Sequence, residues 1–363
     1  MKYAFGITAG TSYFTAVNFG KLHDRQCLLT GKQNGELEVR CYRTLRSIVR
    51  LSGKRFFRFI HEVQQRIEYR KTEDCQVRSC GFFKEGVWAH FRASSIKFWQ
   101  ILPDLSSTVI NQIPAPYTGF CAAFVFNSAS VGEEVLILPE ESDDWAVVTV
   151  HCLQQQLSYS LKTSGSAVLT KPVESNIFSL LPIENHSTKF NSLFVLLGTE
   201  FGSIQLWDVR KEAIVSETRI HKDMVSELDF STEQSVGVSC SPADGVSIWT
   251  IDKDDFCIRQ TRFLPKQQPV VTHVRIFPGD VDMFIVADRG GTLASLSLTS
   301  GEKKDVLNFH RKSVTCLQFA PRDFGGWLLL VCSSDGVISC WQIDMPSTDS
   351  LLARGSTAAF ISS

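Results

Sequence analysis

Three groups of residues in this chain have types and spacings that could do chemistry. Glu140-Glu141 and Asp143-Asp144 are paired carboxylates of the kind that acid–base catalysis or a divalent cation would use. No His or Cys stands at a spacing that would complete a metal site, so no metal is expected. Arg289-Gly290-Gly291-Thr292 could cradle a phosphate, but it falls between two strand-like runs. Its glycines are therefore expected to serve a turn that needs positive φ. Residues 40–71 hold ten Lys and Arg, among them Lys54, Arg55 and Arg58, against Glu62 and Glu68, a local charge of +8. Tyr42, Phe56, Phe57, Phe59 and Tyr69 are interleaved, a composition able to combine phosphate contact with stacking. The plainer reading makes Phe57 and Phe59 core residues of a strand whose other face is solvated. The chain as a whole carries a net charge of −1, so an acidic protein surface suits this segment better than nucleic acid.

The signatures of the common enzyme classes are missing. There is no Gly-x-Ser-x-Gly elbow, Walker loop, His-Glu-x-x-His pair or dinucleotide fingerprint. No catalytic residue and no cofactor is expected. The eleven cysteines include no Cys-x-x-Cys pair and suggest neither a disulfide framework nor zinc. With no signal-like start and no run of about 18 apolar residues, the chain is expected to be intracellular and reduced, without membrane association.

The elements that must position these residues are strands. Gly202-Ser203-Ile204-Gln205-Leu206-Trp207-Asp208 is echoed by Gly245-Val246-Ser247-Ile248-Trp249 and by Gly336-Val337-Ile338-Ser339-Cys340-Trp341. Each copy is a turn glycine, an alternating strand and a closing Trp. Equivalent closings fall at Arg40, Trp99, Thr149 and Leu296, which makes seven units. The last three spacings, 42, 47 and 45 residues, match four-stranded repeats, and earlier units carry insertions. Apolar first strands recur at Phe14–Phe19, Val225–Phe230, Val274–Phe277 and Val314–Phe319, and buried second strands at Leu193–Leu197 and Leu328–Cys332. The expectation is an all-β, seven-bladed propeller over residues 1–344, with residues 3–8 closing the last blade. Residues 133–144 are expected to include an acidic loop, and 345–363 to form a disordered tail. Ser52–Arg58 is expected to connect two blades and Glu140–Asp144 to turn between middle strands, both on one face, so a charged partner could be oriented by opposed basic and acidic sectors.

These blades resemble the WD40 family. His310, Ser333, Asp335 and Trp341 fall where that family places a His–Ser/Thr–Asp–Trp hydrogen-bonded network, and His221, Ser239, Asp244 and Trp249 repeat it one residue tighter. A buried His that bridges a turn Asp and an indole N–H satisfies groups that are costly to bury alone. Units one, three and six lack the Trp and are degenerate. A narrower resemblance runs through Leu197–Val209, Ile220–Phe230, Gly237–Ser241, Val246–Trp249 and Thr118-Gly119-Phe120-Cys121. This resembles the G-protein β-subunit-like protein 1 / ASTRA-associated protein 1 family. It implies a nuclear and cytoplasmic scaffold associated with the Tel2-Tti1-Tti2 cochaperone, which supports maturation of phosphatidylinositol-3-kinase-related kinases, or with an ASTRA-type chromatin complex.

Trp207-Asp208-Val209-Arg210 has a rival implication. The ending is similar to the signature by which WD40 substrate receptors dock to the cullin-4 ubiquitin ligase adaptor. The plain reading packs the Trp between blades and pairs Asp208 with Arg210 across the following turn. A conventional G-protein β subunit would need a heptad-bearing helix ahead of its strands, and none is present near Met1.

Overall fold

Runs of Val, Ile, Leu and Phe punctuated by turn glycines fold into β-structure throughout. The computed structural model describes residues 1–343 apart from 11, 53–75, 85, 120, 142–145, 163–175, 186–191, 266–268, 279–280 and 323–324. Strand β1 (Lys2–Thr8) leads into blade 1, built from β2 (Phe14–Leu22), β3 (Arg25–Lys32), β4 (Glu36–Cys41) and β5 (Ser47–Ser52). Blade 2 is β6 (Val77–Phe83), β7 (Gly86–Phe91), β8 (Ser94–Ile101) and β9 (Ser107–Ala115). Blade 3 is β10 (Phe124–Ser128), β11 (Glu133–Glu141), β12 (Ala146–Cys152) and β13 (Ser158–Lys162). Blade 4 is β14 (Ile177–Asn185), β15 (Ser192–Thr199), β16 (Ser203–Asp208) and β17 (Ala213–Arg219). Blade 5 is β18 (Glu227–Ser231), β19 (Val236–Ser241), β20 (Gly245–Ile251) and β21 (Ile258–Pro265). Blade 6 is β22 (Val271–Ile276), β23 (Phe284–Asp288), β24 (Thr292–Leu296) and β25 (Lys303–Asn308). Blade 7 joins β26 (Val314–Pro321), β27 (Trp327–Ser333) and β28 (Val337–Ile343) to β1, which pairs antiparallel with β28. Seven antiparallel four-stranded sheets make the fold a seven-bladed β-propeller.

The described residues group into two compact units. Blades 1 and 2 form one, over Thr15–Thr118, and Met1–Phe14 with Gly119 onward form the other. Within each unit, a closing residue on a blade's third strand packs back onto the blade before it. Trp249 of blade 5 joins Leu196 and Leu206 of blade 4, and Trp341 of blade 7 joins Ile285 and Leu293 of blade 6. Trp99 of blade 2 likewise joins Leu29 and Val39 of blade 1. This explains why the middle strands read as continuous apolar runs: β15 and β16 are covered on both faces, while the outer strand β17 alternates.

Glu140 and Glu141, expected in the turn between middle strands, belong instead to a strand. Glu133–Glu141 is the nine-residue strand β11, because Val135-Leu136-Ile137-Leu138 is an apolar core run and carries its flanking glutamates into the ladder. Lys54, Arg55, Arg58, Asp143 and Asp144 lie outside the described residues, as does the segment expected to be a tail.

Candidate functional site

His221 follows the last strand of blade 4, and the turn glycine of that blade places it. Gly202, at φ +81°, accepts hydrogen bonds on its carbonyl from Ile220 N at 2.9 Å and His221 N at 3.0 Å. A Cβ on Gly202 would stand 2.1 Å from the His221 carbonyl oxygen, so only glycine fits. The imidazole then enters blade 5. Nδ1 lies 2.9 Å from Asp244 Oδ1, Nε2 lies 2.8 Å from Ser239 Oγ, and Trp249 Nε1 donates to the same hydroxyl at 3.2 Å. One proton order satisfies every group: the indole donates to Ser239, Ser239 to Nε2, and Nδ1–H to the carboxylate. That order requires a neutral imidazole. Burial pushes the His221 pKa below its usual value, and the Asp244 carboxylate offsets only part of this.

Ser, His and Asp in this sequence of bonds are also the parts of a hydrolytic triad. Ser239 has no exposed surface and its oxygen is occupied by the indole N–H, so no carbonyl can reach it. The arrangement holds blade 5 against blade 4, and that is its work.

Blade 7 repeats the network with one correction. His310 Nδ1 meets Asp335 Oδ2 at 3.0 Å, but its Nε2 meets Ser339 Oγ at 2.8 Å, and Trp341 Nε1 donates to Ser339 at 2.9 Å. Ser333 instead donates to the Lys312 carbonyl. Register explains the exchange. Ser239 on β19 is directly opposite Ser247 on β20, and the corresponding pair in blade 7 is Val331 opposite Ser339. The hydroxyl has crossed to the third strand, two residues before the Trp. Burial again lowers the His310 pKa, partly offset by Asp335.

The same cross-strand rung recurs without histidine. In blade 4 it is Leu197 opposite Gln205, and Trp207 Nε1 donates to Gln205 Oε1 at 3.0 Å. In blade 1 it is Thr30 opposite Glu38, and the closing residue Arg40 forms an ion pair with Glu38. Lys32 and Arg50 approach the same buried carboxylate at 3.5 and 3.4 Å. Gln205, Ser339 and Glu38 were not among the residues singled out from sequence. Each stands two positions before its closing residue, a spacing that was visible in the repeats.

The Trp207–Arg210 ending is used internally. Trp207 and Asp208 are buried, and Asp208 Oδ1 accepts from Arg210 N at 3.1 Å and Lys211 N at 3.2 Å. The expected Asp208–Arg210 side-chain pair is not the one formed: Lys211 Nζ takes Asp208 Oδ2 at 3.2 Å. The Arg210 guanidinium instead donates to the Ser130 carbonyl of blade 3 at 3.0 Å. Ser130 belongs to a turn gathered round Glu184 of blade 4, which accepts from Ser130 Oγ at 3.1 Å, Ala129 N at 3.3 Å and the Ser128 hydroxyl. Burial alone would raise the Glu184 pKa; the donors from Ser128, Ala129 and Ser130 win and lower it. Two contacts, Arg210 and Glu184, thus tie blade 4 to blade 3. Glu140 is opposite Val147 at the rung of blade 3, and Glu141 ends β11 opposite Ala146. Glu133, also in β11, is buried and caps the turn at Gln154 and Gln155 through their backbone N–H groups.

Seven four-stranded blades, of which 4, 5 and 7 are closed by a Trp that donates to a polar side chain on its rung, define a seven-bladed β-propeller. No protein-family model matches the chain. Guanine nucleotide-binding protein subunit beta-like protein 1 of Mus musculus, a WD40 protein, is 28% identical over 150 residues, which is 41% of this chain and 44% of that protein. The match thus spans less than half of the relative's length. Among solved structures, Chaetomium thermophilum Raptor superposes with a TM-score of 0.68 at 13% identity, over 95% of this chain and 29% of its own. The computationally designed Ika8 protein gives a TM-score of 0.59 at 16% identity, over 94% of this chain and 100% of its own. At such identities the two structures speak for the fold alone.

Proposed function

We propose that this propeller serves, in nucleus and cytoplasm, as a non-catalytic adaptor for a Tel2-Tti1-Tti2-type helical-repeat cochaperone acting on phosphatidylinositol-3-kinase-related kinases. An ASTRA-type chromatin-associated assembly is the setting in which the same adaptor would recur. The observation that carries the reading is the run Leu197–Trp249, where the family-like residues double as the internal supports of blades 4 and 5. Similarity to the mouse protein agrees with it at the level of family type. The His, Ser and Asp residues that could have done chemistry in blades 5 and 7 are consumed in holding sheets together. What remains for function is the surface, and a propeller's surface binds proteins.

The receptor reading for Trp207–Arg210 is the alternative. Arg210 has an exposed position but spends its guanidinium on the Ser130 carbonyl, which favours a structural role. Affinity purification of the tagged chain, with identification of what stays bound, separates the two. Helical-repeat cochaperone subunits support the adaptor; recovery of the cullin-4 adaptor alone, abolished by Arg210→His, replaces it with the receptor. Charge reversal at Lys54, Arg55 and Arg58 is expected to weaken partner recovery at low salt. Unchanged recovery would remove that basic segment from the interface.

A further inference from the structure

In two blades the residue after the closing position caps the turn between the third and fourth strands. In blade 4 it is Asp208, whose Oδ1 accepts from Arg210 N and Lys211 N. In blade 6 it is Ser297, whose Oγ accepts from Ser300 N at 2.9 Å. In blade 1 the same position, next to Arg40, is Cys41. Its turn is closed by Leu45 N on the Cys41 carbonyl at 2.8 Å and by Cys41 N on the Arg46 carbonyl at 3.0 Å. Aspartate and serine cap through oxygen. A thiol sulfur is a weak acceptor, so a cysteine in this place serves best as a thiolate. The Thr44 hydroxyl and amide, the Arg43 amide and the Arg25 guanidinium accordingly hold the Cys41 pKa below the ordinary thiol value. The side chain is half-buried, so its sulfur can meet a reagent from solvent.

A second cysteine stands against it. Cys27 on β3 is directly opposite Cys41 on β4, so both side chains leave the same face of the sheet. Tyr42 N donates to the Gln26 carbonyl at 3.1 Å, which makes Gln26 and Tyr42 a hydrogen-bonded pair. Pairs alternate along an antiparallel ladder, so Cys27 and Cys41 form the closer, non-hydrogen-bonded kind, with Cα atoms about 4.5 Å apart. A disulfide spans Cα separations of about 4.4–6.8 Å, so the pair already lies within reach. Cys27 is fully buried, and burial, followed by the negative charge of Cys41, pushes its thiol up to about 11. Cys316 is opposite Cys332 in blade 7, but neither of them follows a closing residue.

We propose that Cys41 and Cys27 are a redox-active dithiol, oxidised by hydroperoxides to a cross-strand disulfide. The Cys41 thiolate attacks one peroxide oxygen and the O–O bond breaks. Sulfur is oxidised by two electrons to a sulfenic acid, and the other oxygen takes a proton from solvent and leaves as an alcohol, or as water from hydrogen peroxide. Cys27 then attacks that sulfur, the S–O bond breaks, and hydroxide leaves as water with the Cys27 proton. A sulfenic acid is neutral, so the charge that helped to hold the Cys27 proton is gone when that proton must leave. The new bond turns the Cys41 sulfur toward β3 and withdraws the anion from the Arg43 and Thr44 amides, which loosens the turn.

The test treats the reduced full chain with equimolar hydrogen peroxide at pH 7 and maps cross-links by mass spectrometry of a non-reduced digest. A Cys27–Cys41 cross-link is expected, reversed by dithiothreitol and absent in Cys41→Ser. Cys27→Ala is expected to stop at the Cys41 sulfenic acid, which dimedone traps. Thr44→Val should slow alkylation of Cys41 by iodoacetamide several-fold at pH 7 and move its pH midpoint upward, with Thr44→Ser restoring both. Cys41→Asp, which copies the cap of blade 4, should fold and leave Cys27 reduced. A cross-link between Cys316 and Cys332 alone, or no cross-link at all, would overturn the proposal. So would a Cys41 midpoint at the ordinary thiol value that is indifferent to Thr44.

Discussion

Blades 5 and 6 solve the same packing problem with opposite distributions of bulk. In blade 5, Gly237 is opposite Trp249, and a Cβ on Gly237 would stand 2.3 Å from the indole ring. The ring lies flat over the backbone of its own sheet, stacked on Phe230 with centroids 5.7 Å apart. In blade 6 the large residue has moved across the pair: Phe284 is opposite Leu296. Both arrangements bury their side chains completely or nearly so. Only the first leaves a polar atom, the indole N–H, to be satisfied, and only the first keeps His221, Ser239 and Asp244 to do it. In blade 5 the network answers the indole. At Leu296 the indole and the polar rung are absent together, and the rung is Val286 opposite Ala294.

The largest test of this contrast is truncation on each side. Trp249→Ala should cost about 3–5 kcal/mol, since it empties a fully buried site and strands Ser239 and His221. Leu296→Ala removes a smaller side chain, strands no polar group and should cost about 2 kcal/mol, at the low end for a buried leucine. Urea denaturation measures both, and equal losses would break the comparison. Gly237→Ala comes next, at about 1–3 kcal/mol, because the added methyl must displace the ring. Reversal of that loss in Gly237→Ala/Trp249→Leu would show that the two positions share one volume.

Asp244→Ala should cost about 1–2 kcal/mol, since it removes the acceptor of both His221 Nδ1 and Lys222 N. The smallest effect is that of mild acid. The folded pKa of His221 is depressed, so above its ordinary value both folded and unfolded chains hold neutral imidazole and the stabilisation is complete. As pH falls through that value the unfolded chain takes up the proton first, and stability declines toward the folded pKa. Stability measured by urea denaturation should therefore fall on acidification from pH 7. Part of that fall should vanish in His221→Gln, the rest belonging to other histidines whose pKa burial depresses, such as His273 and His310. An unchanged pH dependence in His221→Gln would assign the acid effect elsewhere.

Much of this was legible before any coordinates. Seven closings at Arg40, Trp99, Thr149, Trp207, Trp249, Leu296 and Trp341 all fall on third strands, and residues 3–8 lie in the outer strand of the last blade. Turn glycines, alternation and repeat spacing are local properties, set by backbone sterics and by which face of a strand meets water. His221, Ser239, Asp244 and Trp249 were legible for the same reason, because one family-like pattern held them at fixed offsets.

The tertiary structure decided the rest. Ser339 displaced Ser333 because the two strands of a rung can each reach the histidine, and register across strands is not written in spacing along one of them. Arg210 turned from Asp208 to the Ser130 carbonyl because the neighbouring blade brings that acceptor within 3.0 Å of its guanidinium. The glutamates of β11 became strand residues because the apolar run between them had a core to enter. A sequence alone determined that this chain repeats and that its polar sets have partners. Which partner each group takes depends on the approach of chain segments dozens of residues apart.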